Sequence, residues 1–284
     1  IYRLIKEAGI NTVVANGNEV GGNLALAMKN LQLAQDYGIR VYLNNAYVSH
    51  TENGAYASNP SVDLDAITAA YAAYSSFAGY YIYDEPYKAS VPSLFGDADR
   101  MVIGDFTEPF AYLGKYANIS GYMNLFPCIS TTLMWELDSS ITQTTISEAK
   151  YKAYLAAASD AGADYISYDL YLRENGDANY ANKKQGFYKN LEWANAVGQA
   201  EGKPFYAFIQ VGTDFVTGNS GVTGQRNLTT VQEMYLEANA ALAMGARGLN
   251  YYSLIQPVGY AKNSDGSYDL TPCPDRNTQT LKRL

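Results

Sequence analysis

Two periodicities take turns along this chain. Short runs rich in apolar, β-branched and aromatic residues predict strands at 12–16, 40–46, 78–85, 122–126, 165–169, 204–211 and 248–254. Between them, apolar side chains recur at helical spacing and predict helices over 24–37, 64–77, 147–161, 181–199 and 230–244. Gly38 and Gly162 close two of these helices, and Thr230 with Glu233 has the spacing of a capping box. Residues 2–8 read as the tail of a helix closed by Gly9, and 278–284 as the start of another. Shorter helical pieces fall near 93–95 and 109–116.

Strictly alternating strands and helices imply a parallel sheet. One strand added before the first would complete the set of an eightfold barrel. The predicted architecture is therefore α/β, a (β/α)8 TIM barrel clipped at one or both ends, forming a single domain over 1–284. A doubly wound open sheet is the alternative. It usually carries a glycine-rich phosphate loop, which Gly17-Asn18-Glu19-Val20-Gly21-Gly22 resembles only superficially.

Alternation within the strands sharpens the prediction. Outward residues of a barrel pack under helices, while inward ones at the C-terminal strand ends face the mouth. If Val13, Val41, Leu43, Ile82, Met123, Leu125, Ile166, Leu170, Ala207 and Ile209 point outward, the inward tips are Asn16, Asn44, Glu85, Asn124, Asp169 and Gln210. Every one is polar, and a purely structural barrel has no need of such a ring.

The run Ala78-Gly79-Tyr80-Tyr81-Ile82-Tyr83-Asp84-Glu85-Pro86 stands out among these tips. A buried strand ends there in two adjacent carboxylates, and Pro86 stops it because proline has no N–H for the ladder. Carboxylates at the mouth of a buried strand are costly unless hydrogen-bonded or used. Tyr165-Ile166-Ser167-Tyr168-Asp169 repeats the arrangement.

Composition narrows the partners. The 284 residues are 48% hydrophobic and 17% charged, as in a globular chain. A net charge of −8 argues against nucleic acid or an anionic membrane as partner, and no apolar run is long enough to span a bilayer. The 27 tyrosines fill a core or line a sugar cleft, since each offers an apolar face and a hydroxyl. Cys128 and Cys273 lie in no ligand-spaced motif; one disulfide or two free thiols are both open. With His50 the only histidine, the usual zinc sites and a Ser-His-Asp triad are disfavoured, and no Gly-x-Ser-x-Gly elbow occurs. The acidic loop with Asp97, Asp99 and Asp105 reads as a solvated charge run rather than a calcium site, so no metal and no cofactor is expected.

With Tyr83-Asp84-Glu85-Pro86 at a strand end, the chain resembles the (β/α)8-barrel glycoside hydrolases, the large clan of β-galactosidases and many cellulases. In that clan the acid/base glutamate ends strand four directly after an asparagine. Glu85 matches it, and Asp84 takes the asparagine's place. The stretch Ala243-Met244-Gly245-Ala246-Arg247-Gly248-Leu249-Asn250-Tyr251-Tyr252 is similar to the join into the last strand of such enzymes. The clan's nucleophile ends strand seven, where this chain has Gln210, and a neutral amide cannot form a glycosyl ester.

The resemblance implies a secreted, extracellular glycoside hydrolase with a carbohydrate substrate. Glu85 and Asp169 are its expected catalytic pair, with Asp214 a further candidate for the second carboxylate. Asn16, Asn44, Asp84, Asn124, Trp135, Gln210 and Tyr252 are the expected sugar-binding residues. His50 suits a substrate contact or a surface loop, and Trp193 suits the core. The alternative is a non-catalytic carbohydrate-binding barrel, motivated by Gln210.

Overall fold

The computed structural model of the protein describes residues 2–15, 24–45, 48, 63–84, 107–125, 127–129, 132–133, 148–170, 172, 180–211 and 230–252. Its elements run α1 (Tyr2–Glu7), β1 (Thr12–Ala15), α2 (Leu24–Asp36), β2 (Arg40–Asn44), α3 (Leu64–Ala72), β3 (Phe77–Asp84), α4 (Thr107–Leu113) and β4 (Ser120–Asn124). They continue with β5 (Cys128–Ile129), β6 (Thr132–Leu133), α5 (Glu148–Asp160), β7 (Ile166–Tyr168), α6 (Tyr180–Glu201), β8 (Phe205–Gln210), α7 (Val231–Ala243) and β9 (Gly248–Tyr252).

β1, β2, β3 and β4 pair in that order, all parallel, and β7, β8 and β9 form a second parallel set. A parallel bridge between Leu125 and Tyr168 joins the two, with the Leu125 N–H donating to the Ser167 carbonyl at 2.8 Å. The strands thus follow one another around a single wall in chain order, as in a (β/α)8 barrel. The short antiparallel hairpin β5–β6 is an addition that the alternation did not predict.

The helix-side core contains Val41, Leu43, Ile82, Met123, Leu125, Ile166, Leu170, Ala207 and Ile209, together with Tyr80 and Tyr168. These are the outward residues that the alternation named, apart from the half-buried Val13, which packs against the same core. Trp193 is buried there too, its ring 5.6 Å from Tyr151.

One predicted boundary moves. The helix expected over 64–77 stops at Ala72, and Phe77 opens β3 instead. Two serines account for this. Gln35 accepts the Ser75 N–H at 2.7 Å, and the Ser76 hydroxyl donates to the Leu31 carbonyl at 2.6 Å. Both tie the chain to α2 and draw it out of the helix. The capping box at the start of α7 forms as the spacing predicted, with both reciprocal bonds present.

Candidate active site

The inward face begins with an aromatic floor. Tyr81, Tyr122 and Tyr165 form a second buried cluster, with Val14, Tyr42, Tyr206 and Phe208 packed against it. Tyr165 lies flat on Tyr206, centroids 4.4 Å apart and planes 13° apart. Gly248 makes room for that stack, since a Cβ there would lie 2.8 Å from the Tyr206 ring. Tyr81 stacks on Tyr122 at 5.5 Å, and Tyr42 and Tyr165 each meet Tyr122 at 5.5–5.6 Å. Burial raises the hydroxyl pKa of Tyr81, Tyr122 and Tyr165, and for Tyr81 and Tyr122 the charges of Asp84 and Asp169 add to the rise. These phenols therefore stay neutral throughout the working range of proteins.

Above the floor the ring turns polar. Asn44, Asn124, Asp169 and Gln210 continue the strand registers of Tyr42, Tyr122, Ser167 and Phe208, as the alternation predicted. Asn124, Asp169 and Gln210 are buried, and Asn44 is half-buried.

β3 departs from strict alternation. Its pairing with β4 shifts register between Tyr81 and Tyr83, so that Tyr83 opposes Met123 and Asp84 opposes Asn124. Tyr83 then packs against the helix-side core. Asp84, which strict alternation turned away from the mouth in favour of Glu85, takes the inward register. The physical reason is the extra residue, which reverses the facing of Tyr83 and Asp84 relative to strict alternation. Glu85, Asn16, Trp135, His50, Asp214, Cys273 and the acidic loop with Asp97, Asp99 and Asp105 lie outside the described residues.

A directed chain of hydrogen bonds ends on Asp84. Asn250 donates from Nδ2 to the Tyr122 hydroxyl at 3.1 Å and to Ser167 Oγ at 3.3 Å. Tyr122 and Ser167 share a bond of 3.2 Å, and Ser167 Oγ donates to Asn124 Oδ1 at 3.4 Å. Asn124 Nδ2 then donates to Asp84 Oδ1 at 3.1 Å. Serine has one proton, so donation to Asn124 leaves Tyr122 as the donor to Ser167. Every bond then runs the same way, toward the carboxylate. Burial raises the pKa of Asp84, while hydrogen bonds from Asn124 and Tyr81 oppose that rise. The residue keeps exposed surface at the mouth although its carboxyl lies deep among the strand ends.

Asn250 and Ser167 escaped the sequence reading. Both carry a signal there: each is a small polar residue inside an otherwise apolar strand, on the inward parity of its own tip. Tyr252, at the tip of β9, is part-exposed with its ring 6.4 Å from Phe208. That pair leaves an aromatic surface at the mouth beside Gln210, which it opposes in the β8–β9 register.

Asp84 and Asp169 stand on strands separated only by β4. Two interstrand spacings put their backbones about 10 Å apart. Their strand registers turn both toward the tyrosine floor, and the charges of both raise the hydroxyl pKa of Tyr81 and Tyr122. No group of His, Cys, Asp and Glu suited to a metal ion occurs among the described residues.

No protein-family model matches the chain, and no curated protein matches it significantly. Solved structures do. A protein described as a "putative alpha-L-fucosidase" from Bacteroides thetaiotaomicron aligns over 100% of this chain and 85% of its own, with a TM-score of 0.62 and 11% identity. A GH99 endo-alpha-mannosidase from Bacteroides thetaiotaomicron aligns over 99% of this chain and 80% of its own, with a TM-score of 0.51 and 16% identity. What the chain shares with both, at that identity, is the fold: it is a parallel (β/α)8-type barrel built like those of proteins named as glycosidases.

Proposed function

We propose that the protein is a glycoside hydrolase that cleaves an oligosaccharide or polysaccharide with two carboxylates at the barrel mouth. The observation that carries this reading is the polar ring of Asn44, Asp84, Asn124, Asp169 and Gln210 above a tyrosine floor, with two acids two strands apart. Amides suit sugar hydroxyls because each offers both donors and acceptors. Likeness of fold to two proteins named as glycosidases supports the same class. Glycoside cleavage needs one protonated carboxyl at the leaving oxygen and one ionised carboxylate as base or nucleophile. In this reading Glu85 is the acid and Asp169 its partner. The wide strand separation favours a water between Asp169 and the sugar, hence inversion.

A second assignment rests on the register shift in β3. Asp84, which takes the inward position and has a raised pKa, is then the acid. Variants separate the two. Glu85→Gln, Asp84→Asn and Asp169→Asn are assayed on a panel of glycans by reducing-end release, with glycan binding measured alongside. Loss of the general acid cuts turnover by about 10²–10⁴ while binding persists. Of Glu85 and Asp84, the position that shows this loss holds the acid, and Asp169→Asn should show it in either case. A barrel that binds glycans but cleaves none, in wild type as in the variants, is a carbohydrate-binding protein, and the hydrolase reading fails.

A further inference from the structure

The ladder between β7 and β8 stops one step short of the mouth. Their register pairs Ile166 with Phe205, Ser167 with Tyr206 and Tyr168 with Ala207. Continued regularly, that register would hand the Gln210 N–H to the Leu170 carbonyl. The Gln210 N–H donates instead to Glu237 Oε2, at 2.8 Å. Glu237 belongs to α7, whose buried residues are Met234, Glu237 and Ala241, one apolar stripe interrupted by an acid. Its side chain is 2% exposed. A carboxyl is costly in such a stripe without a bonded partner, and a leucine would serve the packing better.

We propose that Glu237 is a positioning residue for the catalytic mouth: its carboxyl occupies the parting between β7 and β8 and fixes the tip of β8 apart from Asp169. This rests on the hydrolase reading above for its effect on turnover, but not for the contact itself. The parting falls between Asp169 and Gln210, the two inward polar residues of adjacent strands. A closed ladder would draw their backbones to ordinary strand spacing. Held open, the tips leave room between the two side chains for a water or a sugar hydroxyl. Glu237 touches no inward side chain among its described contacts, so its action passes through the backbone of Gln210.

The test uses the full chain with Glu237→Gln, which keeps an acceptor oxygen, and Glu237→Leu, which removes it. Amide exchange by NMR reads the contact directly. Gln210 should remain protected in wild type and in Glu237→Gln, and exchange about tenfold faster or more in Glu237→Leu. The Phe208 amide, farther from the mouth, should stay protected in all three. Equal protection of Gln210 in all three proteins, or equal loss at Gln210 and Phe208, overturns the positioning role. Should the leucine variant not fold, the Gln210 amide shift between wild type and Glu237→Gln decides. A change larger there than at any other β8 amide supports the contact, and no change removes it. On a glycan whose cleavage requires Asp169, Glu237→Leu should lower kcat by about 10²-fold with KM little altered, and Glu237→Gln should restore it. If kcat is unmoved while Gln210 loses protection, the positioning role is refuted although the contact stands. If no glycan is cleaved at all, the hydrolase reading fails and the exchange result still decides the contact.

Discussion

Glu237 makes the protein's stability depend on pH in a direction opposite to that of most acids. Burial pushes its carboxyl up from 4.5 to about 8, the Gln210 N–H opposing this and the charge of Glu233 adding to it. In the unfolded chain the same group ionises near its ordinary value. Between the two values the folded state holds a proton that the unfolded state has released. Stability therefore falls as pH rises from about 4.5 to about 8, and is flat above. A shift of this size, at about 1.4 kcal/mol per unit, corresponds to about 5 kcal/mol across the window. Folded domains have only about 5–15 kcal/mol in all. Glu237→Gln removes the titration and keeps an acceptor for Gln210. Urea unfolding of both proteins from pH 5 to pH 9 is the assay. The variant should lie close to wild type near pH 5 and exceed it by several kcal/mol at pH 9, with the gap opening steadily between about pH 5 and pH 8. Asp84, also raised, adds a slope of the same sign that the variant retains. Unfolding free energies that stay parallel from pH 5 to 9 would show that Glu237 is ionised in the folded protein and refute the reasoning.

Other substitutions test the frame around the site. Gly79 has φ +142°, and a Cβ there would run into the Ser120 carbonyl oxygen of the neighbouring strand, so Gly79→Ala should abolish or severely lower soluble, folded protein by thermal melting. Tyr122→Phe removes the hydroxyl that Asn250 donates to and that bonds Ser167; about 1–3 kcal/mol should be lost, read as a drop in urea midpoint without change of slope. The ion pairs Arg3–Glu7 and Lys152–Glu148 are i,i+4 pairs on helix surfaces, so Arg3→Ala and Lys152→Ala should each change stability by no more than about 0.5 kcal/mol. Gly248→Val should push Tyr206 off Tyr165 and lower the melting temperature, whereas Gly202→Asn, at a positive φ with nothing within 4 Å of the added Cβ, should be tolerated.

Periodicity made the architecture legible. Val41, Leu43, Ile166 and Ile209 lie under helices because alternating aliphatic residues have one buried destination in a parallel barrel. The same logic placed Asn44, Asn124, Asp169 and Gln210 on the inward face. It failed where backbone geometry, rather than side-chain chemistry, sets the count. The run Tyr80-Tyr81-Ile82-Tyr83 reads equally well in either register, since tyrosine fits both the floor and the helix side. Nothing in those residue types announces the shift that brings Asp84 inward. The end of α3 was missed for a similar reason: Ser75 and Ser76 leave the helix to bond residues of α2 roughly forty positions earlier. Glu237 was legible in principle, as an acid at a core position of a helical stripe, but its partner is a backbone group that no side-chain pattern names.

The two sides of the mouth are built on different terms. On the β3–β4 side, Asp84 is the terminus of a bond chain through Asn124, Ser167 and Tyr122 to Asn250, which spans the interior from β3 to β9. Each member of that chain is held by its neighbour, so the Asp84 carboxyl has a fixed position. On the β7–β8 side, the paired register ends at Tyr168 and Ala207, and the buried Glu237 carboxyl takes the Gln210 N–H. A site that only bound sugars could be rigid all round, because preorganised hydrogen bonding costs least when nothing moves. The proposed inverting hydrolysis would ask for something else on one side: a second acid set back far enough to admit water beneath the sugar ring. Asp169 stands directly beyond that last paired step. The absence of a carboxylate at Gln210 is then no defect of the site. A neutral amide beside Asp169 can orient a water or hydroxyl for that aspartate, and an ionised glutamate in its place would set a second negative charge against the first. Gln210→Glu should accordingly lower turnover rather than raise it. A rise in activity on that substitution would mean that the missing nucleophile, and not the parted wall, is what limits this barrel.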